Sequence, residues 1–128
     1  MTKMIAVATA AALALMPMLV EAHHSGAMFD DAKNVTVEGV VKEFQYTNPH
    51  SWLLVDVTKD GATTTWGFEA EGPTTLRQMG VRPADFTPGT KVTVTGHPMR
   101  DGRPAAAWTK AVRADGKEFY PRGRQNGS

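Results

Sequence analysis

The sequence predicts an all-β fold, a small five-stranded OB-like Greek-key barrel with one short helix between strands three and four. Three observations predict it. Short runs alternate apolar and polar residues with the two-residue period of a strand, and Asn-Pro or Asp-Gly pairs punctuate them. The first three runs follow one another as a meander. A segment that opens with proline and closes with glycine then separates them from two further runs, which is the element order of the OB-type barrel.

The first strand runs from Val35 to Tyr46. Val35, Val37, Gly39, Val41 and Glu43 share one face, but the neighbours Val40 and Val41 interrupt the alternation. Gly39 beside them is the residue expected at a bulge or a sharp coil, and a long bent first strand is a barrel feature. Asn48-Pro49 marks the turn, because proline fixes its own φ and disfavours helix in the residue before it. In the second strand Trp52, Leu54, Asp56 and Thr58 alternate with Leu53, Val55 and Val57. Asp60-Gly61 is a hairpin signal, since such turns need positive φ. The third strand, Thr63 to Glu69, sets Thr64, Trp66 and Phe68 on one face.

Pro73 near the start, Leu76 and Met79 three apart and Gly80 at the stop predict the short helix. Val81 to Gly89 is a loop with Pro83 and Pro88. Lys91 to Gly96 is the fourth strand, with Val92 and Val94 inward, and Ala105 to Arg113 is the fifth. A short extended piece, Glu118 to Tyr120, follows, and residues 121–128 form a polar, mobile tail.

The beginning of the chain has a different character. Lys3 precedes an uncharged apolar run from Ile5 to Met16, and Val20-Glu21-Ala22 supplies the small residues of a cleavage site. This is the layout of a secretory signal peptide, residues 1–22, and the run is too short for a comfortable membrane span. The expectation is a periplasmic or secreted protein with no membrane anchor after processing. The mature chain then starts at His23, with an extended leader (23–34), the barrel (35–120) and the tail (121–128). A later cut, after Ala27, would remove both His23 and His24.

Composition narrows the function. The 128 residues include no cysteine, which excludes disulfides and thiolate metal sites. Fourteen basic residues against thirteen acidic leave a net charge of +1, so nothing favours nucleic acid as a partner. There is no Gly-x-Ser-x-Gly elbow and no phosphate-cradling glycine loop. Asp30 and Asp31 are neighbours on an extended chain and point apart. Binding is expected rather than catalysis.

The four histidines, His23, His24, His50 and His97, all fall in termini or at strand ends. In an OB-type barrel the loops joining strands one to two and four to five flank the ligand face, and these loops carry His50 and His97, expected on one rim. The leader spans roughly 40 Å when extended and can join them. Neutral imidazole suits copper, zinc, iron or nickel. An N-terminal His23 would chelate through its α-amine and its own Nδ1, and a distant imidazole would complete a T-shaped nitrogen site that favours Cu(II) or Ni(II). Such a terminus resembles the histidine-brace sites of copper chaperones and oxidative polysaccharide-cleaving enzymes. Met28 and Met99 are thioethers suited to Cu(I). Copper is therefore the expected cofactor, with His23, His24, His50 and His97 as candidate ligands.

Plainer roles stand beside these. His23 and His24 can be a solvated terminus, His50 a hairpin cap, His97 a strand-end residue satisfied by backbone, and the methionines packing residues. A second reading is a metal-free module whose candidate ligand face, Tyr46, Trp52, Trp66 and Arg100, holds a small periplasmic ligand, a glycan or a protein partner.

Three motifs, His23-His24-Ser25, Asn48-Pro49-His50-Ser51-Trp52 and His97-Pro98-Met99-Arg100-Asp101-Gly102, resemble a family of small exported bacterial proteins catalogued as a domain of unknown function. The resemblance covers His23 to about Lys117. It implies export and supplies no activity, ligand or catalytic residue.

Overall fold

Strand β1 (Val35–Gln45) explains the barrel, because it pairs with two different neighbours along its length. Its first half lies antiparallel to β4 (Lys91–Pro98), with Val35 opposite Gly96, and its second half to β2 (His50–Lys59), with Gln45 opposite Trp52. A strand shared in this way must coil. The coil brings the β2 backbone so close that a Cβ on Gly39 would collide with the carbonyl oxygen of Asp56, so glycine is required there. The register shift itself falls between Val41 and Glu43, and it moves the inward side from the odd positions to Phe44. Glu43, expected on the face of Val37 and Val41, is exposed for that reason.

The structure, a computed structural model, describes residues 28–124. After β2 and the Asp60-Gly61 turn, both residues at positive φ, come β3 (Ala62–Glu71), helix α1 (Pro73–Gln78) and a 3-10 turn (Pro83–Phe86). Strands β4, β5 (Ala105–Arg113) and the two-residue β6 (Glu118–Phe119) complete the chain of elements. Parallel pairing of Gly67–Glu69 on β3 with Ala105–Ala107 on β5 closes the five long strands into a barrel. The Greek-key barrel with one short helix between β3 and β4 is the predicted architecture.

The interior is filled by Leu53, Val55, Phe68, Val94, Ala106 and Trp108, each with no exposed surface. Each large apolar side chain sealed in this way contributes about 1.5–3 kcal/mol. One end of the barrel is plugged by Leu76, Val81 and Phe86 from the helix and the turn. Phe86 meets Phe44 and Trp108 edge-on, at centroid distances of 5.7 and 5.3 Å, an arrangement that aromatic quadrupoles favour. Pro121 is buried as well, and Arg122 donates through Nε to the carbonyl of Trp108 at 3.2 Å, so the start of the tail is pinned. No described helix is long and apolar enough to cross a membrane.

Candidate metal and ligand site

The outer face of β2 and β3 carries His50, Trp52 and Leu54 opposite Glu71, Glu69 and Gly67, paired in register. These residues point away from the core because Ser51, Leu53, Phe68 and Ala70, the alternate set, point into it. Gly67 lies beneath Trp52, whose ring would be 3.2 Å from any Cβ added there. The glycine also donates its N–H to the Pro104 carbonyl at 3.1 Å, so the β4–β5 loop abuts β3 at this level.

Glu69 is the unusual residue. It is 4% exposed, although it faces outward, because β5 packs alongside it and the small residue Ala107 is its neighbour in register. Burial pushes its carboxyl pKa above the usual range, a rise that His50 and Arg122 oppose and Glu71 adds to. His50 Nδ1 lies 3.5 Å from Glu69 Oε1, in contact but too long for a hydrogen bond, and has no hydrogen-bond partner among the described residues. Nδ1 is buried although 37% of the side chain is exposed. A carboxylate at Nδ1 favours the tautomer with its proton there, which leaves the lone pair on Nε2. Sequence reasoning missed Glu69. An acid set in the apolar run Trp66-Gly67-Phe68-Glu69-Ala70 was the available signal.

His97 stands elsewhere. Its Nδ1 is 2.8 Å from the Lys33 carbonyl, and since a carbonyl can only accept, this nitrogen donates and Nε2 holds the lone pair. The two histidines lie past opposite ends of β1, because Val35 pairs beside His97 and Gln45 pairs near His50. In the other direction β5 and β3 intervene. On that side His97 pairs with Ala107, Ala107 with Glu69 and Glu69 with Trp52, so three strand spacings separate His97 from β2. Strand stagger sets the β4–β5 loop level with Gly67 in mid-β3, whereas the β1–β2 loop sits at Glu71.

The remaining candidates divide. Tyr46 turns inward, its hydroxyl 2.9 Å from the Val81 carbonyl and 3.1 Å from that of Pro73, so it ties the first loop to the helical plug. Trp66 stacks on Phe68 against the core, at 6.2 Å. Trp52 remains outside and half-buried, and Arg100 is exposed with Asp30 at 3.9 Å. Met99 is buried with Phe29 and Ala107, while Met28 is exposed. His23, His24 and the predicted signal peptide lie outside the described residues. Among the described residues no group of three or more His, Asp or Glu side chains is arranged to hold a metal.

The model of a family of unknown function, DUF6152, matches residues 10–108, well over half of the chain. The chain belongs to DUF6152. That span includes both motif histidines of the barrel, His50 and His97, and the Glu69 that backs the first. No curated protein and no solved structure matches this DUF6152 chain.

Proposed function

We propose that this DUF6152 protein is an exported binding protein that takes up a transition-metal ion, copper first, on the outer face of β2 and β3. His50 Nε2 is the fixed ligand in this reading, and His23 and His24 of the leader complete the site. The observation that carries it is the buried Glu69 carboxylate behind His50 Nδ1. In metal-ligating histidines the other ring N–H usually donates to a carboxylate, which fixes tautomer and ring orientation, and in this reading the 3.5 Å contact of Glu69 with His50 shortens to that bond.

The leader is tied to the barrel at Met28. The Met28 carbonyl accepts from the Arg100 N–H at 2.9 Å, which anchors the leader on the β4–β5 loop beside Gly67. Residues 23–27 span up to roughly 17 Å from that anchor. His50 lies four residues along β2 from Leu54, about 13 Å, and Leu54 is itself separated from the leader by Gly67, Ala105 and Met99 at about 4.8 Å per step, so the ring of His23 and that of His50 must cover the remaining gap in this reading. Nitrogen ligation by a terminal amine and imidazoles selects Cu(II) or Ni(II), and the +1 net charge makes no demand for an anionic partner.

The test is Cu(II) titration with EPR on protein that begins at His23. Four samples are compared: that protein, one with an extra residue before His23, and the His50→Ala and His97→Ala variants. One-to-one binding with a nitrogen-rich spectrum is expected. It should weaken about tenfold or more in the extended and His50→Ala samples and persist in His97→Ala. Weak binding that is the same in all four refutes the reading. A metal-free ligand face then becomes the better account, favoured by the half-buried Trp52 lying over Gly67 on the outer face, and Trp52→Ala is its test.

A further inference from the structure

The register between β4 and β5 shifts at Thr95/Gly96. Trp108 pairs with Gly96 and Lys110 with Thr95, which leaves Thr109 as the extra residue of a bulge. Trp108 and Ala111 both point into the core, so the bulge turns two consecutive side chains, Thr109 and Lys110, to the outside. Gly96 is required, because a Cβ there would collide with the Ala107 carbonyl oxygen. The bulge opens a groove of about 380 Å³ lined by Asn34, Thr95, His97, Thr109, Lys110 and Tyr120. That volume falls within the roughly 300–1,000 Å³ of small-molecule sites.

The polar groups in the groove select the ligand. His97 Nε2 offers a lone pair, since Nδ1 donates to Lys33. Thr109 donates its hydroxyl proton to the Thr95 carbonyl at 3.1 Å, so its oxygen accepts from the groove side. Lys110 is a donor, Asn34 is both donor and acceptor, and Tyr120 adds aromatic surface, with Lys110 Nζ 5.6 Å and Arg124 Cζ 4.9 Å from its ring centroid. An anion would meet the acceptors His97 and Thr109 and a lysine already paired with Glu118 at 3.1 Å. A metal cation would meet one imidazole beside an ammonium. Hydroxyl groups both donate and accept, and a mixed set of donors and acceptors beside an aromatic side chain suits a polyhydroxylated ring.

We propose that this groove is a second binding site, independent of the metal site, for one ring of a neutral pyranose sugar. His97 and Thr109 accept from its hydroxyls, Lys110 donates to them, and Tyr120 lies against the ring.

The test is a ¹H–¹⁵N NMR titration of the processed, metal-free protein with D-glucose and with N-acetyl-D-glucosamine. Sodium sulfate and glycerol serve as comparison probes. Saturable shifts confined to the amides of Thr95, His97, Thr109, Lys110 and Tyr120 are expected with at least one sugar, in the millimolar range. Thr109→Val and Lys110→Met should each weaken them about tenfold with an unchanged thermal midpoint. Three results overturn the proposal: no saturable shift with either sugar, sulfate or glycerol binding at least as tightly, or both variants binding like the wild type. Copper binding by the same sample is unaffected in every case, so this outcome is read separately from that of the metal site.

Discussion

Glu69 makes the charge state of the outer face a matter of pH. Burial holds its pKa above the ordinary glutamate value of 4.5, so the folded chain binds that proton more tightly than the unfolded chain does. Stability from this group is therefore greatest below the ordinary value and is lost as pH rises through the window up to the raised one. Glu69→Gln removes the titration. In chelator-treated protein, the thermal midpoint of Glu69→Gln minus that of the wild type should grow as pH rises above the ordinary value of 4.5. A difference that is flat above that value would show that Glu69 is well solvated. If His50 is the metal ligand, the same variant should also bind Cu(II) about 10- to 100-fold more weakly, the usual effect of losing the group behind a ligating histidine. Calorimetric titration at neutral pH checks this. The site was partly legible at this scale. Asn48-Pro49 placed His50 at the entry of β2, but the group facing Nδ1 of each histidine came from far along the chain, Glu69 for His50 and Lys33 for His97.

Among the elements, β1 and β4 each depend on a glycine at which another backbone comes too close for a side chain. Gly39→Ala and Gly96→Ala should therefore each destabilise the barrel by about 1–3 kcal/mol, as forced overpacking does, with urea denaturation as the measurement. Gly96→Ala carries a second consequence, loss of sugar binding at the neighbouring groove. Phe86→Ala should cost more, about 3–5 kcal/mol, because that ring is fully buried between Phe44, Trp108 and Phe119. The strands themselves were legible in the alternation of Leu53 with Val55 and of Val92 with Val94, since a half-buried strand must show a two-residue period. The register shifts at Val41/Glu43 and Thr95/Gly96 were not legible, because a bulge depends on which partner a strand meets. Gly39 pointed to the coil of β1 but not to the residue where the register slips. Tyr46 was misplaced for a similar reason, since the carbonyls that draw it inward belong to Pro73 and Val81, about thirty residues on.

At the scale of the whole molecule, the barrel and the leader are held by different forces. The barrel closes through five paired strands and one aromatic core, whereas residues 28–34 are held by a few contacts. Phe29 is 4% exposed against Met99 and Ala107, the Asp30 N–H donates to the Pro98 carbonyl, and the Arg100 N–H donates to Met28. Phe29→Ala removes the one large apolar anchor and leaves every core residue in place. Hydrogen exchange at the Asp30 and Arg100 amides should rise, while exchange at Leu53, Phe68 and Val94 and the urea midpoint of the barrel stay near the wild-type values. In the proposed metal site the fixed ligand sits on the barrel and the chelating amine on the leader, so their encounter depends on the local concentration that the anchor sets. Releasing the anchor should weaken copper binding by moving the fixed point of the leader farther from His23, with His50 and Glu69 untouched. Copper affinity that is unchanged in Phe29→Ala, alongside faster exchange at Asp30, would mean that the leader contributes no ligand to the metal that His50 holds.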